Sequence, residues 1–526
     1  MVNGTGIPDV DFDVGESYAG SLPISNNATD ENKLFFWFFP TVNEDSTAEK
    51  EIIIWLNGGV SPWSSSLRDI GARMQSLTPL QPGCSSLEGL LQENGPFLWQ
   101  YGTYKPVANP WSWHRLTNMV WVEQPVGTGF SAGTPTARDE DDVAEQFLGF
   151  WRNFVELFGV QGYKVYLAGE SYAGAYCPYI ASHMLDANDT TTFDLQGMLI
   201  YDPILTHDAI QEHVVAVPFV DYHRGLHPFN ASFTAHIHNV SAACGFDAFM
   251  DTYLAYPPPG PQPDRLPGTD ASGAPLDECD ALYWDIQDAA MALNPCWDTY
   301  QVATTCPMLW DVLGFPGTLG YLPDGASVYF DRPEVKKAIH APEVPWSECT
   351  GPVFVGRDRS LPSGLTVLPS VIDRTKNVVI GHGALDYVLI ANGTLLAIQN
   401  MTFGGKLGFQ SPPTEPFFVP YHEDADLSSM AGAGVFGTAH TERGLTYVGI
   451  ELSGHMVPQY APSAAFRHVE FLLGRVASMS ETTPFTIGAR VPQPESALGD
   501  YIPAQHRSGR HGSHASQPRR VLRRGA

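Results

Sequence analysis

An α/β fold organised around a mostly parallel sheet is the prediction from the sequence, and three observations carry it. Short apolar runs recur and alternate with helical patterns, which is the signature of parallel strands joined by crossover helices. One run, residues 165–168, enters the turn Gly169-Glu170-Ser171-Tyr172-Ala173-Gly174, and residues 179–185 then show helical periodicity. Residues 205–329 break the pattern with clustered prolines, glycines and cysteines, and read as an insertion over the carboxyl edge of the sheet.

A strand, a tight turn with serine at its apex and a helix form the nucleophile elbow of an α/β hydrolase. Small residues flank Ser171 because the turn is strained and crowded. The hexapeptide occurs twice, however. The copy at Gly15-Glu16-Ser17-Tyr18-Ala19-Gly20 follows an acidic stretch and leads to Leu22-Pro23, so Ser17 reads as a surface-turn serine. The fifth motif position is Ala173 rather than glycine, so context assigns the nucleophile to Ser171.

In chain order, residues 34–39 and 51–56 read as strands, and Asn57-Gly58-Gly59 ends the second. Residues 119–122 form another strand, before a Gly-rich loop. An amphipathic helix follows at 141–158, then the elbow, then a strand at 198–201. After the insertion, strands resume at 377–381 and 445–450, and a last helix at 464–474 packs back on the core. The expected organisation is a core in two parts, 1–204 and 330–483, with a cap insertion at 205–329 and a loose tail at 484–526. The end of that tail, residues 505–526, has six arginines and no acidic residue, and takes no functional role.

A net charge of −28 over 526 residues argues against nucleic-acid binding and suits an acidic compartment. No apolar run approaches the roughly 18 residues of a membrane span. The opening residues are polar, without a signal-peptide pattern. Seven Asn-X-Ser/Thr sequons, at Asn3, Asn27, Asn188, Asn230, Asn239, Asn392 and Asn400, nevertheless point to a secreted or vacuolar/lysosomal protein whose signal segment is missing from this sequence. Seven cysteines without a Cys-X-X-Cys pair point away from metal or redox sites, and no cofactor is expected. Cys244, Cys279, Cys296 and Cys306 suit two disulfides in a region with little evident core, and Cys177 is the candidate free thiol.

A serine nucleophile needs a base and an orienting carboxylate, which follow it in the order Ser, Asp or Glu, His. Asp386 and His455 fit that order, each on a loop after a late strand. His382 and His440 compete as the base; neither sits in a Gly-flanked turn past a late strand, and His382 reads as a polar loop residue.

These segments together carry a resemblance. Asn57-Gly58-Gly59, the run from Pro82 to Gly89, Glu93-Asn94-Gly95-Pro96, the run from Asn109 to Trp113, the run from Gln124 to Ser131, the elbow, Asp386 and Gly454-His455-Met456-Val457-Pro458 resemble the serine carboxypeptidases of the carboxypeptidase Y-like family. The match spans residues 12–475, and residues 330–339 resemble the family's return from its cap. The resemblance implies that Ser171 attacks the last peptide bond, His455 moves the proton and Asp386 orients the imidazole. It places the oxyanion hole at the N–H groups of Gly59 and Tyr172. It assigns the substrate's C-terminal carboxylate to Asn57, Gly58, Glu93 and Glu170. Two glutamates bind a carboxylate by sharing a proton, which works in acid and fails as pH rises. The resemblance also pairs Cys84 with Cys349, and puts Glu88 near the leaving-residue pocket, where it would favour basic terminal residues.

Two departures qualify the match. Leu389 stands where the best-known family member has cysteine, so thiol-reagent sensitivity is not implied. Residues 60–81 interrupt the family's continuous Asn-Gly-Gly-Pro-Gly-Cys segment with 22 extra residues. Val-Ser, Leu-Thr and Gln at their places can encode a splice donor, branch point and acceptor, so the segment reads as a retained in-frame intron, with a genuine surface loop as the alternative. Translated, it is expected to displace Gly59 and to separate Glu93 from Asn57. The function expected is a carboxypeptidase acting on free peptide and protein C-termini at acidic pH. The alternatives are an acyltransferase or esterase with the same triad, and a catalytically impaired glycosylated binding protein.

Overall fold

The computed structural model describes residues 1–45, 47–60, 81–307, 309–314, 325–422 and 432–486. Most of the 60–81 segment and the arginine-rich tail lie outside these residues.

One ten-stranded sheet organises the chain. Its strands are β1 (Tyr18–Pro23), β2 (Lys33–Phe39), β3 (Glu51–Leu56), β4 (Asn118–Glu123), β5 (Lys164–Glu170), β6 (Asp194–Tyr201), β7 (Val378–Gly383), β8 (Glu415–Val419), β9 (Gly434–Glu442) and β10 (Leu445–Ile450). They lie in the order β1-β2-β4-β3-β5-β6-β7-β10-β9-β8. The run from β4 to β10 is parallel, and both margins are antiparallel. Both faces are covered, which is why β3 is apolar at nearly every position. Ile52, Ile54 and Leu56 face one core cluster, while Ile53 and Trp55 face the other, as the two-residue period of a strand requires.

Helix α1 (Glu140–Phe158) begins at Asp139, whose carboxylate accepts the Asp142 N–H, and stops at Gly159 in the left-handed region. With α2 (Ala173–Ala187), it supplies one layer. The C-terminal helix, α7 (Pro462–Leu472), lies on the opposite face.

Between β6 and β7 the chain leaves the sheet. Helices α3 (Val214–Tyr222), α4 (Ala231–Cys244), α5 (Phe246–Tyr253) and α6 (Asp277–Leu293) bury a cluster of their own, including Val217, Ile237, Phe249, Leu282 and Ile286. The region therefore has more core than its Pro/Gly content implies. Disulfides Cys244–Cys279 and Cys296–Cys306 staple it, Cys84–Cys349 joins two core loops, and Cys177 is a buried free thiol.

Ser17 differs from expectation. It is fully buried and accepts a hydrogen bond from Trp37 Nε1 at 3.1 Å, while the residues after it form edge strand β1. Backbone pairing to β2 overrides the weak strand propensity of Tyr-Ala-Gly-Ser-Leu-Pro. Strands β8 and β9 are likewise additions to the sequence reading.

Candidate active site

Ser171 follows β5 directly and precedes α2, at φ +61°. Its N–H donates to Tyr201 O at 2.9 Å, and its carbonyl accepts from Gly174 and Ile204. These bonds hold a left-handed conformation that serine adopts only at a cost. Gly58 is required beside it: a Cβ there would lie 2.6 Å from Ser171 Cβ and 2.7 Å from the Tyr172 nitrogen.

Asp386 and His455 come from loops after β7 and β10. His455 Nδ1–H donates to Asp386 Oδ2 at 2.7 Å, while Asp386 Oδ1 accepts the Val388 N–H at 2.8 Å. Oδ1 also accepts the Leu389 N–H at 3.4 Å, so backbone donors hold one carboxylate oxygen and the imidazole the other, and the imidazole orientation is set. The stapled stretch after α6 braces both loops: Tyr300 O accepts the His455 N–H, and Thr299 O accepts the Tyr387 N–H. His455 is 2% exposed, and its Nε2 has no hydrogen-bond partner among the described residues. That nitrogen is therefore available to take a proton from an incoming nucleophile.

His382 is not a loop residue. It lies on β7, is fully buried, donates from Nε2 to Leu389 O at 2.5 Å, and is pushed down to about 4 by burial. Asp202 lies 3.3 Å from the same Nε2 and accepts the Gly383 N–H at 2.8 Å. Burial, then the Asp386 charge, raises Asp202 well above the ordinary carboxyl range. Nothing in the sequence singled Asp202 out, because its role depends on β6 and β7 ending side by side. His440 sits on β9 and pairs with Glu442, remote in role from the Asp386–His455 bond.

The acidic side of the site is a trio rather than a pair. Asn57 Oδ1 accepts from Trp55 Nε1 at 2.7 Å and from the Gly89 N–H at 3.2 Å. The amide is thereby fixed with Nδ2 towards Glu88 Oε2 (2.5 Å), Glu170 Oε1 (3.0 Å) and Glu93 Oε1 (3.2 Å). One NH2 group has two hydrogens for three carboxyls, all buried. Burial, and then a neighbouring carboxylate in each case, raises all three well above the ordinary glutamate range. A buried carboxyl kept protonated is an O–H donor for another carboxylate. Glu88 escaped the sequence reading as a member because its spacing gives no hint that it shares the Asn57 amide.

The extra segment does not part these groups, contrary to expectation. Gly59 pairs with Pro82, and Val60 with Gln81, in a short antiparallel ladder. The segment therefore leaves and re-enters at adjacent points, so its length is not felt at Asn57. Beyond it, Ser86 Oγ donates to Val122 O at 2.6 Å and accepts the Asn57 N–H at 3.1 Å, locking the returning loop to the sheet. Cys84–Cys349 clamps the same loop. Tyr172 is buried, and its hydroxyl donates to Asp358 Oδ2 at 2.7 Å.

Three ligand atoms converge within 4.8 Å in two places among the described residues: Asp202, His382 and Asp386, and Glu88, Glu93 and Glu170. The first set offers oxygen and nitrogen and the second oxygen alone, but the Asp386–His455 bond commits one group of the first set.

The family model described as serine carboxypeptidase matches residues 8–75 and 81–474. A probable serine carboxypeptidase of Arthroderma benhamiae is 52% identical over 492 residues, covering 91% of this chain and 87% of that protein. Serine-type carboxypeptidase F of Aspergillus niger is 46% identical over 487 residues, covering 89% and 86%. The crystal structure of a prohormone-processing carboxypeptidase, Kex1, from Saccharomyces cerevisiae superposes with a TM-score of 0.66 at 22% identity, over 92% of this chain and 97% of that one. That likeness concerns the fold, an α/β-hydrolase architecture.

Proposed function

The chain belongs to the serine carboxypeptidase family, and from that premise we propose that Ser171, His455 and Asp386 carry its reaction and that acid pH switches its substrate site on. It is a serine-type carboxypeptidase, a hydrolase that acts on peptides. In the proposed mechanism, Ser171 Oγ attacks the carbonyl carbon of the last peptide bond while His455 Nε2 takes its proton. The C–N bond then breaks, and the same proton leaves with the released amino acid. Water, deprotonated by His455, hydrolyses the acyl-enzyme. Asp386 holds the imidazole and stabilises its positive form. The N–H groups of Gly59 and Tyr172 stabilise the oxyanion, each worth roughly 3–4 kcal/mol in such sites.

The observation that carries the peptide-end specificity is the buried trio on the Asn57 amide. Protonated, Glu93 and Glu170 donate hydrogen bonds to the substrate's terminal carboxylate, with Asn57 and Gly58 completing the site. Glu88 joins them through the shared amide. An esterase or acyltransferase needs no such group.

Three disulfides and the exposed sequons at Asn3, Asn27, Asn188, Asn230 and Asn239 support an oxidising secretory compartment, vacuolar or extracellular. Asn392 and Asn400 are half-buried and suit glycans less well. No described helix is long and apolar enough to cross a membrane.

The test is release of C-terminal amino acids from peptides at pH 4–7, with fluorophosphonate labelling of the active serine. Ser171→Ala should abolish both. Turnover that survives in Ser171→Ala would reject the assignment.

A further inference from the structure

Beside the elbow lies a cavity of about 590 Å³ between the core and the cap. Tyr172 and Ile204 form its inner wall; Tyr172 follows Ser171 directly, and the Ile204 N–H donates to Ser171 O. None of Asn57, Glu88, Glu93 and Glu170 lines it. A peptide anchored by its terminal carboxylate at the glutamates and attacked at Ser171 therefore leaves this cavity free for its remaining chain.

The lining is acidic and lacks a counter-charge. Asp208, Glu212, Asp277, Asp280 and Asp358 line it, with no lysine or arginine. Its two histidines do not offset them: burial pushes His213 down to about 4 and lowers His207. Glu212 is the informative residue. It is only 8% exposed, yet no donor among the described residues hydrogen-bonds its carboxyl. Burial, and then the negative charges of Asp208, Asp280 and Asp386, hold its carboxyl well above the ordinary glutamate range, a shift that an arriving cation reverses. A buried carboxyl normally has a partner, so an unpartnered one on the wall of a cavity asks for a cation from outside. Phe246, Leu266 and Trp284 add apolar wall against which a long aliphatic stem can lie.

We propose that this cavity binds a lysine or arginine side chain of the substrate on the acyl side of the scissile bond, with Glu212 as the inner partner and Asp280 at the rim. This rests on the reading of Ser171 as nucleophile. It concerns the segment that stays on the enzyme, not the released residue.

The test uses blocked peptides of one length with a common C-terminal residue. Lysine, norleucine or glutamate is placed in turn at the first, second and third positions before the scissile bond. At one of these positions, lysine is expected to raise kcat/KM about 10-fold or more over norleucine, the range of a charged hydrogen bond. Glutamate should fall below both. In Glu212→Gln the lysine-to-norleucine ratio should approach 1, and in Asp280→Asn, a partly exposed position less able to disturb folding, it should drop several-fold. Thermal denaturation of each variant checks the fold. A wild-type ratio near 1 at all three positions, or a ratio unchanged in both variants, overturns the proposal. Each peptide is also run as its C-terminal amide. Equal turnover of acids and amides would sink carboxylate recognition at the glutamate trio while leaving the lysine-to-norleucine ratio readable.

Discussion

Raising the pH should erase the enzyme's preference for free acids over amides. Asn57 offers two N–H bonds to three carboxyls, so at least one of Glu88, Glu93 and Glu170 stays protonated to avoid facing charges. In the proposed site, binding a substrate carboxylate requires O–H groups from both Glu93 and Glu170. Each such charge-assisted bond contributes about 1.5–3 kcal/mol. Losing two costs about 3–6 kcal/mol, or roughly 100-fold to 10⁴-fold in kcat/KM at about 1.4 kcal/mol per decade. Burial and the neighbouring carboxylate raise both pKa values, so the loss begins above the ordinary glutamate range. The measurement is the ratio of kcat/KM for one blocked dipeptide and its amide between pH 4 and 8. The ratio should fall about 10-fold per pH unit for each proton lost. In Glu93→Gln or Glu170→Gln the amide N–H persists at all pH values, so the decline should flatten, at the expense of some affinity in acid. A flat wild-type ratio, or a double Gln variant that tracks wild type across the range, would refute carboxyl sharing as the basis of recognition.

Four further outcomes follow from the same geometry. In Asp386→Asn the Val388 N–H keeps the amide oxygen at the Oδ1 position, so an NH2 faces His455 Nδ1 and forces the wrong tautomer; kcat should fall by about 10³–10⁴ while the thermal midpoint holds. Replacing Cys84 and Cys349 by serine opens a link spanning 265 residues, and denaturant titration should show about 5 kcal/mol of lost stability with weakened free-acid preference. Conformational stability should fall as pH rises above neutral. The raised carboxyls Glu88, Glu93, Glu170 and Asp202 keep protons in the folded state that the unfolded chain releases. Stability is thus full below the unfolded pKa and declines as pH rises towards the folded values, by about 1.4 kcal/mol per pH unit for each excess proton. Buried histidines such as His213 and His382, pushed down to about 4, oppose this trend below about pH 6.5, so a denaturation midpoint that climbs between pH 7 and 8 is the result that would contradict it. Dialysis against a chelator should leave peptidase activity intact, since protons rather than a cation occupy the glutamate trio; loss restored by a divalent ion would reverse that reading.

What the sequence could show depended on whether a feature was local or made by distant strands. The elbow was legible because strand, turn and helix are consecutive, and the parallel centre because β3, β5 and β7 are near-continuous apolar runs. Asp386 and His455 were legible by order alone, although their 2.7 Å contact spans 69 residues. Ser17 was misread for the opposite reason. Its hexapeptide matches the elbow's, but Trp37 on the neighbouring strand turns it inward, and no local pattern encodes that. Glu88 was placed near the leaving-residue pocket by resemblance alone; its share of the Asn57 amide, and Asp202 altogether, went unread because those contacts arise only when Trp55 fixes the amide and β6 ends beside β7.

The extra segment at 60–81 is the sharpest case. Reasoning along the chain makes an insertion beside Gly59 disruptive, since every added residue lengthens the path from Asn57 to Glu93. In space the path is irrelevant, because Gly59 and Pro82 are paired. The elements that hold Asn57 and Glu93 together, namely Ser86 on β4, the disulfide and the Trp55 indole, all lie outside the segment. A loop closed at its base adds closure entropy that grows only as the logarithm of its length. The site's integrity therefore rests on the returning loop and its anchors outside the segment, whether or not the segment is spliced from the transcript.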